Sequence, residues 1–152
     1  MKYLILSLIA ALALPTAVNS GIPKKFEGKY MKATGTARST FMIDTEDIDI
    51  KRERLRFYVK SELKPSTVPD PNIRENWEGK LRINCKNFEK KKEISIRGFI
   101  VEVPYSPIKE NEFSYILAEN FCFLTGVEGY TAEKNPPKWV EKIIRTIKEK
   151  SI

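Results

Sequence analysis

No histidine occurs among the 152 residues. That absence removes Ser-His-Asp and Cys-His nucleophilic schemes, histidine-ligated zinc, and histidine-based general acid–base catalysis. Cysteine is almost as scarce. Two residues cannot build a four-cysteine zinc site or an iron–sulfur cluster. Asn-x-Ser/Thr acceptors are missing, and there is neither an internal repeat nor a low-complexity tract. Acidic residues are the minority charge, 20 against 27 Lys plus Arg, so the chain carries a formal +7. With 41% apolar residues, it has the composition of a chain that packs a core rather than one that stays disordered.

Long apolar runs are also lacking, with one exception at the start. Leu4 to Leu14 is an eleven-residue stretch, apolar but for Ser7, preceded by Lys2 and followed by Pro15 and small residues. A cationic start, a short apolar segment and a small residue at the cut make a secretory signal. Eleven residues fall short of the roughly 20 that cross a bilayer as a helix. Val18 and Ser20 occupy the −3 and −1 positions of a cut after Ser20, and no cysteine follows the run to accept a lipid. Residues 1–20 therefore read as a signal peptide and the product as exported, periplasmic or secreted, and not an integral membrane protein after cleavage. Removing 20 of 152 residues leaves 132, and the loss of Lys2 alone among charged residues lowers the net charge from +7 to +6. An oxidising destination permits a disulfide between the two cysteines, Cys85 and Cys122.

Residues 21–35 hold Gly21, Pro23, Gly28 and Gly35 among lysines and read as a loose lead-in to a single domain over 36–152. Ser39, Phe41 and Ile43 alternate with Thr40, Met42 and Asp44, as a strand requires. Leu55, Phe57 and Val59 alternate with Arg54, Arg56, Tyr58 and Lys60. Pro65, Pro69 and Pro71 then mark a loop of about 15 residues, a length more often functional or mobile than incidental. Leu81, Ile83 and Cys85 alternate with Lys80, Arg82, Asn84 and Lys86 in a further strand, Glu89 to Lys92 read as a hairpin turn, and Ile94 to Val103 as a strand with a bulge at Gly98. Pro104 and Pro107 end it. From Phe113 the period lengthens: Phe113, Ile116, Leu117, Phe121 and Leu124 make a helical stripe that Gly126 stops. After Pro136 and Pro137 a second helix carries Trp139, Val140, Ile143, Ile144 and Ile147. Strands first and helices afterwards predict an α+β fold, an antiparallel sheet of about four to five strands followed by two C-terminal helices, with a Cys85–Cys122 bond pinning the first helix to the sheet.

The basic side of that sheet is the main functional candidate. Arg52, Arg54, Arg56, Tyr58 and Lys60 fall on one side of one strand, and Lys80, Arg82 and Lys86 on one side of another. On adjacent strands they form a field that attracts an anionic polymer, an acidic lipid headgroup or an acidic protein, with arginine favouring bidentate contact to sulfate, phosphate or carboxylate. Export argues against intracellular nucleic acid. The bland alternative is a solvated sheet face, with Asp44, Glu46, Asp47 and Asp49 close by to neutralise it. Those acidic residues do not follow the EF-hand spacing, and they read as a solvated or salt-bridged turn.

Two Ser-x-x-Lys matches, at Ser61 and Ser106, lack the partner motifs of penicillin-binding enzymes. Glu119, Glu128 and Glu133 near Tyr130 carry no spacing that selects them as a glycosidase pair. Trp77, in the proline-rich loop, is a candidate exposed binding aromatic, whereas Trp139 belongs to the core. No catalytic residue, metal ligand or organic cofactor is indicated. The expectation is a non-enzymatic binding module, with a small hydrolase using carboxylates or a Ser–Lys pair as one alternative. A structural envelope or inhibitor-like protein acting through the proline-rich loop is the other.

The strand Leu81-Arg82-Ile83-Asn84-Cys85-Lys86-Asn87, with a later helix ending Asn120-Phe121-Cys122, resembles small secreted bacterial proteins of the surface-adhesin protein E type. More narrowly, residues 121–131 together with Pro136-Pro137-Lys138-Trp139 look like uncharacterised exported proteins of marine picocyanobacteria. The broader likeness implies a compact sheet-plus-helix domain with one disulfide. It carries no functional residue beyond the cysteine pair.

If residues 1–20 are a cleaved signal, mass spectrometry of the exported product finds Gly21 as its first residue. A mature product that still begins at Met1 refutes that reading.

Overall fold

The computed structural model describes residues 30–74, 76–96 and 98–151; the expected signal segment and residues 21–29 of the lead-in lie outside them. Six strands follow one another: β1 (Tyr30–Ala33), β2 (Ser39–Lys51), β3 (Arg54–Leu63), β4 (Trp77–Asn84), β5 (Glu89–Ile96) and β6 (Phe99–Pro107). Each pairs antiparallel with the next, so the order in the sheet is the order in the chain. Two helices come last, α1 (Phe113–Phe121) and α2 (Lys138–Lys150). The α+β order of sheet then helices is the one the periodicity predicts, with six strands in place of four or five.

The extra strands have local causes. β1 arises within the lead-in and is four residues long, too short to show a period of two. The run from Ile94 to Val103 is two strands, not one. Gly98, with φ of 82°, sits in the connection between β5 and β6 rather than in a bulge, and a left-handed backbone there is cheap only for glycine. Glu89 to Lys92 form the first half of β5 instead of a turn, because the chain has already reversed over 85–88, where Phe88 takes φ of 55°. β6 runs on through Pro104 to Pro107, which an edge strand tolerates because one row of its N–H groups needs no partner. The acidic stretch Asp44 to Asp49 is not a turn but part of β2, at a register irregularity between Ile43 and Ile48. Trp77, read as a loop aromatic, opens β4 and is 8% exposed.

The inward positions of β2, β3 and β4 supply the sheet's half of the core: Phe41, Ile43, Leu55, Phe57, Val59, Leu81 and Ile83 are all buried. α1 lays Phe113, Leu117 and Phe121 on that face. Phe113 stacks on Phe41 with ring centroids 4.1 Å apart, and Phe57 meets Phe121 at 5.3 Å. The helix then tightens into a 3-10 turn over Cys122–Thr125, which Gly126 ends in the left-handed conformation that the sequence predicts. α2 buries Val140 and Ile143, and Trp139 bridges the two helices, 6.4 Å from Phe113 and 6.0 Å from Phe121, with its indole N–H donating to Thr34 Oγ1.

At Gly79 the register places β3 and β5 on either side of a strand that comes unusually close to β5. A Cβ there would meet the Glu93 carbonyl oxygen at 1.9 Å, so the position excludes any side chain.

Cys85, just past β4, is bonded to Cys122 at the end of α1, and both are buried. The Tyr130 hydroxyl donates to the Cys85 carbonyl at 2.8 Å and ties the loop after the 3-10 turn to the same spot. The bond joins residues 37 apart in sequence, so the chain-entropy relation gives it about 4 kcal/mol. The Cys85→Ala/Cys122→Ala variant should unfold at correspondingly lower denaturant; an unchanged midpoint would show that the helix is held by its aromatic contacts alone.

Candidate functional site

β3 and β4 are adjacent and in register, so the alternation that buries Leu55, Phe57 and Val59 turns Arg54, Arg56, Tyr58 and Lys60 to the opposite, outer face. There they stand across from Asn84, Arg82, Lys80 and Glu78, respectively. Six of the eight residues singled out by the sequence therefore share one surface. Arg52 and Lys86 do not: they lie in the turns after β2 and after β4, at the end of the sheet where Arg54 pairs with Asn84.

Carboxylates answer much of this charge. Arg56 pairs with Asp47 at 3.0 Å, Arg82 with Glu93 at 2.7 Å, Lys60 with Glu62 at 2.9 Å, and Lys86 with Glu53 at 3.5 Å. Arg52, Arg54 and Lys80 have no ion pair among the described residues. The face also divides in two. Around Tyr58 lie Tyr30, Asp44, Asp47 and Glu78, with Lys80 across the ladder, and this half is of mixed charge. Burial, then the Glu78, Asp47 and Asp44 carboxylates, push the Tyr58 hydroxyl up to about 12. Tyr30 is raised further by burial and by the same neighbours, Tyr58 included. Asp44 and Glu78 thus lie toward the tyrosines, whereas Asp47 also reaches Arg56, and Lys80 stands across from Tyr58.

The other half is the cationic one. Arg54, Arg56 and Arg82 line a cleft of about 180 Å³ with Lys51, Asp49, Leu55 and Tyr105, four cations against one lining carboxylate, Asp49, which pairs with Lys51 at 3.3 Å. Arg56 and Arg82 face each other directly across the β3–β4 ladder. Like charges so placed repel, and the pair costs stability unless something negative lies near both. Asp47 and Glu93 each approach one guanidinium from its own flank. Yet the Nε–H groups of both arginines are shielded from solvent without a hydrogen-bond partner among the described residues, and such groups are costly to leave unsatisfied. Chemically, the cleft is suited to hold one sulfate, phosphate or carboxylate between two guanidinium groups.

The sequence missed Lys51 and Tyr105. Lys51 has the right parity at the end of β2, but the irregularity in that strand breaks the alternation that reveals it. Tyr105 lay beyond the proline taken to end its strand. The other candidates do not converge on a site. Glu119, Glu128 and Glu133 are exposed, the first on α1 and the others in the following loop; Ser61 is buried on β3, and Ser106 lies on β6. No group of three or more Cys, Asp or Glu side chains among the described residues is placed to hold a metal ion. Nor is any described helix long and apolar enough to cross a membrane.

No family model, curated protein or solved structure matches this chain. What the site can do therefore rests on its own chemistry.

The facing arginines give a direct test. Glu93, 13% exposed at its side chain, offsets one of them. Glu93→Gln should destabilise the fold at low salt by about 1 kcal/mol, a value set by the partial exposure of Arg82. The loss should narrow as salt screens the repulsion. Equal melting temperatures for variant and wild type at low salt would mean that the pair does not interact.

Proposed function

We propose that this chain is an exported, non-enzymatic binding module that engages an anionic partner through the cleft between Arg54, Arg56 and Arg82. The observation that carries the reading is the direct opposition of Arg56 and Arg82 across β3 and β4. A shared anion converts that opposition from a cost into a contact. Three supports stand beside it: Lys51 and Tyr105 extend the cleft, and among the described residues Arg54 has no ion pair and both internal Nε–H groups lack acceptors. The partner presents sulfate, phosphate or carboxylate groups, as an anionic polysaccharide, an acidic headgroup or an acidic protein does. Arg52 and Lys86 extend the positive field at the sheet end, whereas Tyr58 and Lys60 belong to the half of mixed charge.

Binding of the oxidised protein to a sulfated polysaccharide, a uronic-acid polysaccharide and acidic liposomes, followed over a salt series, tests this. At least one should bind and weaken by about tenfold between roughly 50 and 200 mM salt. The Arg54→Glu/Arg56→Glu pair should remove that binding, while Lys138→Glu/Lys142→Glu on α2, an equal change in net charge, should leave it. No binding at low salt, or equal loss in both variants, overturns the proposal.

A further inference from the structure

A second cavity lies on the opposite, helix-bearing face. α1 contacts β4, and α2 contacts β1 and β2, so the inner side of β5 and β6 is left largely uncovered. Where the start of α1 meets this uncovered region, Ile73 and Arg74, ahead of β4, close one side and leave a cavity of about 190 Å³. A second one of about 330 Å³ adjoins it over β5 and β6, and Ile73, Arg74, Lys90 and Lys92 line both.

The floor is apolar: Phe41, Trp77, Leu81 and Phe113 are buried and line the first cavity. Its charge comes from an unexpected place. Because Glu89 to Lys92 are strand rather than turn, Lys90 and Lys92 share the inward parity of Ile94 and stand on the core side of the sheet. Lys90 is paired with Glu112, just before α1. Although burial pushes the Glu112 carboxyl up, Lys90, the Lys109 N–H and the Ser114 hydroxyl together hold it below its ordinary range, so that carboxylate is already engaged. Lys92 has no carboxylate within ion-pair distance among the described residues. Its ammonium instead sits 4.7 Å from the centre of the Trp77 ring. Burial, with Lys90 adding to it and Glu112 opposing, holds its pKa down. Arg74, exposed at the rim, has no ion pair among the described residues either. An ammonium inside an apolar cavity is expensive without an anion, and an indole face compensates only part of that cost.

We propose that these two adjoining cavities form a second ligand site, for a small amphiphilic carboxylate whose headgroup meets Lys92 and Arg74 beside Trp77 and whose apolar body runs toward Ile94 and Val103. It is independent of the outer cleft, which is lined chiefly by charged side chains and offers no apolar floor of this extent. The chain has two tryptophans, and only Trp77 lines this cavity; Trp139 is committed to Thr34. Their indole N–H resonances therefore report separately.

The test titrates the oxidised protein with octanoate, octanol and acetate while both indole resonances are followed by NMR. Octanoate should shift the Trp77 signal saturably and leave that of Trp139 in place, with octanol and acetate each binding at least about tenfold more weakly, as loss of a charge-assisted contact or of the apolar body predicts. Lys92→Met keeps the length and removes the charge, so it should fold at least as well while weakening octanoate by about tenfold or more. Arg54→Glu/Arg56→Glu should leave octanoate binding unchanged. Octanol binding as well as octanoate, a shift at Trp139 alone or at neither indole, full affinity in Lys92→Met, or loss of octanoate in the Arg54/Arg56 variant would each overturn the proposal.

Discussion

The aromatic contact between α1 and the centre of the sheet is the interaction on which the remaining features depend. Phe57 on β3 is fully buried against Phe121, Phe41 on β2 is stacked on Phe113, and the Cys85–Cys122 bond fastens the far end of the same helix. With these residues committed inward, strand alternation leaves no choice about the others. Arg54, Arg56, Tyr58 and Lys60 must face out because Leu55, Phe57 and Val59 face in. A slip of one residue would exchange the two sets and bury four polar side chains. The position of the cationic cleft is thus a consequence of core packing rather than of any attraction among the cations, which repel one another.

That repulsion gives the outer face its organisation. Directly opposed arginines are costly on a sheet, and acidic residues on β2 and β5 lie where they relieve it. Asp47 and Glu93 serve the arginines. Asp44, Asp47 and Glu78 instead crowd two tyrosine hydroxyls and make deprotonation of both harder. Along β3 the face therefore passes from an arginine-rich end at Arg54 and Arg56 to an end of mixed charge at Tyr58 and Lys60, and an anionic partner would be steered to the first.

The helices are too few to cover the whole of a six-stranded sheet. α1 and α2 close the inner side over β1 to β4, and the remainder is left with side chains that an ordinary core would not contain. Lys90 and Lys92 face inward, Val101 and Val103 stay exposed, and at the start of β6 Phe99 and Ile100 are 76% and 73% exposed. The concavity beside Trp77 exists because coverage stops there. It combines an apolar floor with charge, a pairing typical of small-molecule sites.

Local pattern was sufficient for the alternation in β3 and β4, the two helical stripes, the stop at Gly126 and the order of sheet before helices, because each is set by neighbours within a few residues. It was also sufficient to name Arg54, Arg56 and Arg82, whose parity follows directly from the apolar residues between them. What it did not contain were facts about pairs distant in sequence. The facing of Arg56 and Arg82 depends on the register of β3 with β4 across a proline-rich loop. The assignment of Asp47 and Glu93 as their counter-charges depends on strands on either side. The inward lysines were hidden for a related reason: a run of charged residues at a strand start looks like a turn until the reversal at 85–88 is known. Sequence by itself determined which residues alternate and which form helices, since a strand's period of two and a helix's of 3.6 are local geometry. Only the tertiary structure decided which charges meet, because that distance is set by how separate strands dock on one core.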